Sequence, residues 1–326
     1  MTQTHALLHG LVVNSHGRHC VVESDDGSRR ICHPRGKKSQ AVVGDRVQWR
    51  AAPAGQGEEG TIEAVLPRDN LFYRQDEVRT KAFAANIDQI LVLLAAEPVF
   101  SEGQLARALI AAQEQGIAAI IGLNKEDVPD AFAQAWQRLA AYRVMQDGES
   151  RPLYPVLRLH LESASGGTDF AALQARLQQR RTLVLGPSGV GKSTLINRLI
   201  PQAQAQTAAI SQALNSGRHT TTTTTWYWLP DASEDGVGVA APRRAAILDS
   251  PGFQEFGLRH IQPQQLTRWM PDIHAHAQGC RFHNCTHIHE PGCAVQAMVQ
   301  DEATHGAIAR SRYQLYQRFL AELQGR

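Results

Sequence analysis

Two stretches of this chain carry residue types at spacings that could do chemistry. The first is Gly186-Pro187-Ser188-Gly189-Val190-Gly191-Lys192-Ser193, followed by Thr194; it comes after the apolar run TLVL and opens the helical run STLINRLI. In such a strand-to-helix turn the glycines let backbone N–H groups close around phosphate oxygens. Lys192 neutralises β/γ-phosphate charge, the Ser193 hydroxyl ligates magnesium, and the helix N-terminus adds its dipole. The second is Cys280-x4-Cys285-x-His287-x5-Cys293, three thiolates and one imidazole. That is a closed tetrahedral set suited to one structural Zn2+, with no open position for catalysis. It contains no Cys-x-x-Cys pair to argue for redox work. His274, His276, His283 and His289 lie close by, so the spacing alone leaves the nitrogen ligand open.

Three further motifs fit the phosphate loop. Asn124-Lys125-Glu126-Asp127 closes the strand IIGL, where the Asp127 carboxylate can accept guanine N1–H and N2–H while Asn124 and the Lys125 stem brace the base. Ser163-Ala164 follows the next strand, at the place where a backbone N–H meets guanine O6, although the dipeptide by itself has almost no specificity. Asp249-Ser250-Pro251-Gly252 follows the strand AAIL and supplies a carboxylate for water-mediated magnesium binding and a glycine N–H for the γ-phosphate. Between phosphate loop and DSPG lies Gly217-Arg218-His219-Thr220-Thr221-Thr222, where a switch I loop belongs. One threonine there completes magnesium coordination; Thr221 is the choice, with Thr220 and Thr222 not excluded. The ligand implied is GTP or GDP with Mg2+.

The order of these motifs along the chain is guanine reader, Ser-Ala, phosphate loop, switch I threonine, DSPG. An ordinary GTPase begins with its phosphate loop, so this order is a circular permutation, which close-lying domain termini make possible. Switch II then runs straight into the C-terminal segment. Ras-like enzymes carry a water-orienting Gln after DxxG; this chain has Phe253. His219 is the candidate to orient or deprotonate the hydrolytic water, with a solvated loop histidine as the plain alternative. Gly189 stands where potassium-stimulated GTPases often have Asn, so no potassium requirement is expected.

These motifs need elements to position them. From Leu8 to about Leu66 five short β-rich runs (LVVNS, HCVVES, RRICH, DRVQW, TIEAVL), broken by turn residues, predict an OB-like barrel, with 51–60 a flexible loop. A connector around 70–74 leads into strands alternating with amphipathic helices, from IDQILVLLAAE at 87–97 to AAILD at 245–249, the pattern of a mostly parallel sheet. Near Gln254 the rhythm gives way to helical segments around 263–270 and 304–323 that flank the Cys/His stretch. The expected division is 1–68 barrel, 69–258 permuted GTPase domain, and 259–326 mainly helical zinc-binding domain.

Composition agrees with several domains. The chain has 326 residues, 43% hydrophobic and 20% charged, enough to bury cores and too apolar for global disorder. A net charge of +2 excludes a strongly basic arm held to nucleic acid by charge alone. Local charge still gathers in RRICHPRGKK, where Arg29, Arg30, Arg35, Lys37 and Lys38 surround His33; an RNA-tracking loop and a merely solvated one fit equally. No signal peptide and no apolar run of membrane-spanning length is found, so a cytoplasmic protein without a membrane partner is expected; it is expected to be a monomer. Cys20 and Cys32 stand apart from the three clustered cysteines, in separate strands.

Barrel, motif order and Cys/His tail together resemble the ribosome small subunit-dependent GTPase A family, also called the YjeQ/EngC family, over essentially the whole chain. The resemblance implies His287 as the zinc's nitrogen ligand, a water-handling role for His219, and RNA contact through the barrel, whose Arg35-Gly36-Lys37 is similar to the family's. It also implies a GTP hydrolase that binds the small ribosomal subunit and its rRNA late in maturation, with turnover stimulated by the subunit. Two other functions compete: a permuted GTPase acting on the large subunit, and an RNA-binding assembly scaffold with GTP as an affinity switch. A P-loop ATPase or kinase would lack the Asn124–Asp127 reader.

Overall fold

The computed structural model describes residues 6–16, 19–36, 41–52, 57, 59–77, 80–203, 224–230, 244–251, 256–299 and 306–325. Strands β1 (Leu8–His16), β2 (His19–Glu23), β3 (Arg29–Pro34), β4 (Arg46–Ala51) and β5 (Gly60–Val65) close into a barrel. β1 pairs with β2 and β4, and β5 closes the ring between β3 and β4. Alternate residues point inward, as a strand's two-residue period requires, so Val12, Val22, Val47, Trp49 and Ile62 fill the interior. Gly60 leaves room for them: a Cβ there would lie 2.7 Å from Cys32 Sγ and 2.8 Å from the Trp49 ring. Cys20 and Cys32, apart in sequence, are direct cross-strand partners, and both are buried free thiols.

The stretch read from sequence as a connector is a second sheet, β6 (Leu71–Gln75) paired antiparallel with β7 (Thr80–Ala85). Its apolar residues explain this, because Phe72 and Phe83 are buried against Phe256, beyond the DSPG motif. Arg68, just past β5, holds the fully buried Asp45 with hydrogen bonds of 2.7 and 2.8 Å.

Strands β8 (Gln89–Ala95), β9 (Ala118–Asn124), β10 (Val156–Arg158), β11 (Arg181–Leu185), β12 (Thr225–Trp228) and β13 (Ala246–Asp249) follow in the spatial order β10-β9-β8-β11-β13-β12. All are parallel except β12, which runs antiparallel to β13. β12 also pairs with β1 at Asn14 and Thr225, so sheet and barrel are continuous. Thr225, the end of the threonine run, thus begins a strand, and its hydroxyl accepts from Asn14 Nδ2 at 3.0 Å.

Alternation along β8 shows the layers. Ile90, Val92 and Leu94 face helices α1 (Glu102–Glu114) and α2 (Pro129–Arg138), with the short α3 (Ala140–Val144) beyond. Leu91 and Leu93 face α4 (Phe170–Leu177) and α5 (Lys192–Leu199). The C-terminal segment comprises a 3-10 helix (Pro263–Trp269), helices Pro271–Ala277 and Ala294–Ala297, and a last helix, Arg310–Gln324. The helix expected at 263–270 is therefore of the tighter type, and the final one begins at Arg310. Ile273, Tyr316, Phe319 and Leu320 join the same apolar cluster as α1. Arg312, 3% exposed, makes a two-pronged bond to Asp272 (2.8 and 2.9 Å) and donates to Tyr142 Oη at 3.1 Å.

Candidate functional site

β9, β10, β11 and β13 are parallel, so the residues that follow them emerge at one edge of the sheet, where open α/β folds bind ligands. A cavity of about 750 Å³ lies there. Its wall includes Asn124, Lys125, Asp127, Ser188, Gly189, Gly191, Lys192, Ser193, Thr194 and Asp249 from the sequence-derived set. Gly186, Pro187, Val190, Ser163 and Ala164 are not among its lining residues. On the Ser-Ala side the surface belongs to His160 and Glu162, which the sequence reading did not single out.

The phosphate loop is shaped by contacts that only glycine permits. Gly191 has φ 103, and a Cβ there would meet Asn124 Nδ2 at 2.6 Å; at Gly186 it would meet the Leu93 carbonyl at 2.4 Å. Lys192 Nζ donates to the carbonyls of Gly186 (2.6 Å) and Pro187 (2.9 Å), which places its charge over the loop. Burial lowers its pKa. Burial also pushes the Asp249 carboxyl up to about 6, against the lowering pull of Lys192. Asp249 Oδ1 is covered from solvent yet finds no hydrogen-bond partner among the described residues. An orphaned carboxylate oxygen in the same cavity as the exposed Ser193 fits a cation bound together with phosphates.

Asn124 ties the parts together. Its Nδ2 donates to the Val190 carbonyl (2.9 Å) in the phosphate loop, and its Oδ1 accepts the Leu161 N–H (3.0 Å) before Ser163. Lys125 adopts φ 68, a left-handed conformation uncommon outside glycine. Glu126 accepts from the Thr168 N–H and hydroxyl (3.0 and 2.5 Å), and His160 Nε2 lies 3.4 Å from Asp127 Oδ1. His219, Gly217, Arg218, Thr220, Thr221, Thr222, Gly252 and Phe253 lie outside the described residues.

The second site is the Cys/His cluster, where the ligating atoms of Cys280, Cys285, His287 and Cys293 all lie within 4.8 Å of one another. His287 presents Nδ1, 3.4 Å from Cys280 Sγ and 3.5 Å from Cys293 Sγ. Three sulfurs and one nitrogen at such spacing suit tetrahedral zinc. Glu290 buttresses the loop: despite burial, hydrogen bonds from Thr286 hold its carboxyl well below the usual carboxylate range.

On the barrel, Arg29 is paired with Glu23 at 2.8 Å, Arg30 lies over the Trp49 ring, and Arg35 reaches Glu63 at 2.5 Å. Lys37 and Lys38 lie outside the described residues.

A barrel, a permuted P-loop sheet and a Cys3His tail define the class: a circularly permuted P-loop GTPase. Residues 65–259 match the family model described as RsgA GTPase. A small ribosomal subunit biogenesis GTPase RsgA of Variovorax paradoxus (strain S110) is 58% identical, over 99% of this chain and 94% of that protein. The one of Paraburkholderia xenovorans (strain LB400) is 47% identical, over 96% and 92%. The crystal structure of YjeQ from Thermotoga maritima superposes with a TM-score of 0.68 at 26% identity, over 98% of this chain and all (100%) of that one. The chain belongs to the RsgA GTPase family, and it is a GTP hydrolase.

Proposed function

We propose that the protein hydrolyses GTP while bound to the small ribosomal subunit in late maturation, and that docking stimulates its turnover. The observation that carries this is the single cavity joining phosphate loop, guanine-reader motif and Asp249 at one sheet edge, in a chain whose relatives are named for biogenesis of that subunit. In this reading Asp127 takes guanine N1–H and N2–H, and the Ala164 N–H takes O6. Gly186 to Gly191 and Lys192 hold the phosphates, Thr194 extends the helix N-terminus behind them, and Gly252 meets the γ-phosphate. Ser193, Thr221 and Asp249 would hold magnesium, which supplies positive charge to the phosphate oxygens. His219 orients the attacking water and takes its proton. The Phe253 side chain lends no polar atom, so water positioning depends on His219, which contact with the subunit brings to the water.

Cys280, Cys285, His287 and Cys293 would hold one zinc ion, which supplies a cross-link within the C-terminal segment. Arg29, Arg30, Arg35, Lys37 and Lys38 contact rRNA from a barrel of residues 1–68. The Arg35–Glu63 pair is exposed on its arginine side and gives way to phosphate at little cost. The GTPase unit is 69–258 and the zinc-binding unit 259–326. The protein works as a cytoplasmic monomer; among the described residues no helix is long and apolar enough to cross a membrane. GTP turnover measured alone and with isolated small or large subunits tests the proposal. Stimulation by small subunits only is expected; equal turnover in all three would sink it.

A further inference from the structure

Arg198 is absent from every motif above, yet it grips the loop that carries Ser163 and Ala164. It lies in the last turn of α5, the helix whose first residue is Lys192. Its Nη1 donates to the carbonyls of Leu161 (3.1 Å) and Ser163 (2.6 Å), and its Nη2 donates to that of Ala164. The guanidinium packs over the Phe170 ring, 4.8 Å from its centroid, at the start of α4. Three carbonyls of one four-residue loop are thus drawn toward a single fixed fork.

Peptide planarity turns this grip into a statement about N–H groups. In a trans peptide the carbonyl of one residue and the N–H of the next point in opposite directions. Holding the Ser163 carbonyl on Arg198 therefore aims the Ala164 N–H away from α5. That N–H has no partner among the described residues, whereas the Ser163 N–H is spent on the His160 carbonyl at 3.0 Å. Asn124 fixes the loop's entry through the Leu161 N–H; the Gly166 N–H also donates to the Ser163 carbonyl (3.2 Å), and Arg198 ties that carbonyl to those of Leu161 and Ala164.

We infer that Arg198 is a positioning residue for guanine recognition, which holds the Ala164 N–H where it meets O6 and couples the end of the phosphate-binding helix to base selectivity. The inference rests on the assignment of Ala164 to O6 made under the proposed function. The fork geometry matters, since an ammonium cannot reach three carbonyls from one plane.

The test is competition binding of GTP, 6-thio-GTP and ITP to the full-length protein, for the parent and for Arg198→Met and Arg198→Lys. 6-Thio-GTP weakens only the O6 contact, and ITP removes only the 2-amino group that faces Asp127. In Arg198→Met the preference for GTP over 6-thio-GTP is expected to fall by roughly five-fold, the worth of one hydrogen bond. The preference for GTP over ITP should stay at the parent's value, a pattern that general loosening would not give. Arg198→Lys, with charge but no fork, should show the same selective fall to a lesser degree and serves if the Met variant folds poorly. An unchanged thio preference, or equal loss of both preferences, overturns the inference. A parent that does not distinguish GTP from 6-thio-GTP would instead overturn the Ala164 assignment beneath it.

Discussion

The nucleotide pocket leaves polar groups open to solvent or without a hydrogen-bond partner among the described residues, whereas the Cys/His cluster has almost every group around it engaged. Asp249 Oδ1 is orphaned, the Asp127 side chain is 45% exposed, and Ser193 faces solvent. Around the cluster, Glu290 takes the N–H groups of Thr286, Ile288 and His289. Tyr313 donates to the His287 carbonyl (2.5 Å) and Tyr316 to that of Thr286 (3.0 Å). Both sites hold one non-glycine residue in the left-handed region, Lys125 at φ 68 and His287 at φ 62, so each stores local strain. The difference lies in what surrounds them: the pocket stays open at the sheet edge, and the cluster is wrapped by hydrogen bonds from its own loop and from the last helix. A site built for turnover stays open; a site built for folding closes upon itself.

That contrast breaks most visibly at Cys293, 5% exposed. Cys293→Ser should abolish zinc binding and unfold the C-terminal segment, since a structural zinc contributes about 10 kcal/mol or more in small zinc-binding domains. Metal content and thermal melting check it, and a zinc-free variant that melts like the parent would refute the structural role. Next is Arg312, one residue before Tyr313. Arg312→Met strands the buried Asp272 and should destabilise by about 3–5 kcal/mol, with Asp272→Leu recovering most of it in the double variant. Denaturant unfolding of the three variants measures this.

Lys192→Ala sharpens the other side of the comparison. It should leave melting nearly unchanged while GTP turnover falls by about 100-fold or more, since a charge aimed at the phosphates is removed. The smallest effect is expected at the barrel thiols. Burial, with the neighbouring Cys20 adding to it, pushes the Cys32 thiol up to about 12. A thiol raised in this way forms thiolate only as pH approaches that value, so Cys32 should resist alkylation up to about pH 10 in the folded protein. Mass spectrometry of alkylated peptides reads it.

Both candidate sites rest on motifs that are written locally, the phosphate loop within eight consecutive residues and the cluster within fourteen. The five barrel strands and the parallel β-strands were legible for a related reason: the former are short β-rich runs between turn residues, and the latter are short continuous apolar runs, β8 being buried at every residue. The β6–β7 hairpin was not, because Phe72 and Phe83 find their burial against Phe256, far along the chain. Arg198 and His160 were invisible for the same reason, as nothing in their neighbours announces contacts with the loop 161–164 or with Asp127. The shared apolar cluster of α1 and the last helix is likewise a long-range fact. Local chemistry leaves a signature in order and spacing; tertiary support does not.

Guanine recognition in this pocket turns on Asp127, and the nucleotide preference of Asp127→Asn tests it directly. Xanthine presents a carbonyl where guanine presents its 2-amino group, so the amide should accept XTP and reject GTP. Hydrolysis of XTP in place of GTP, with melting unchanged, is expected. A variant that still prefers GTP to XTP would contradict it.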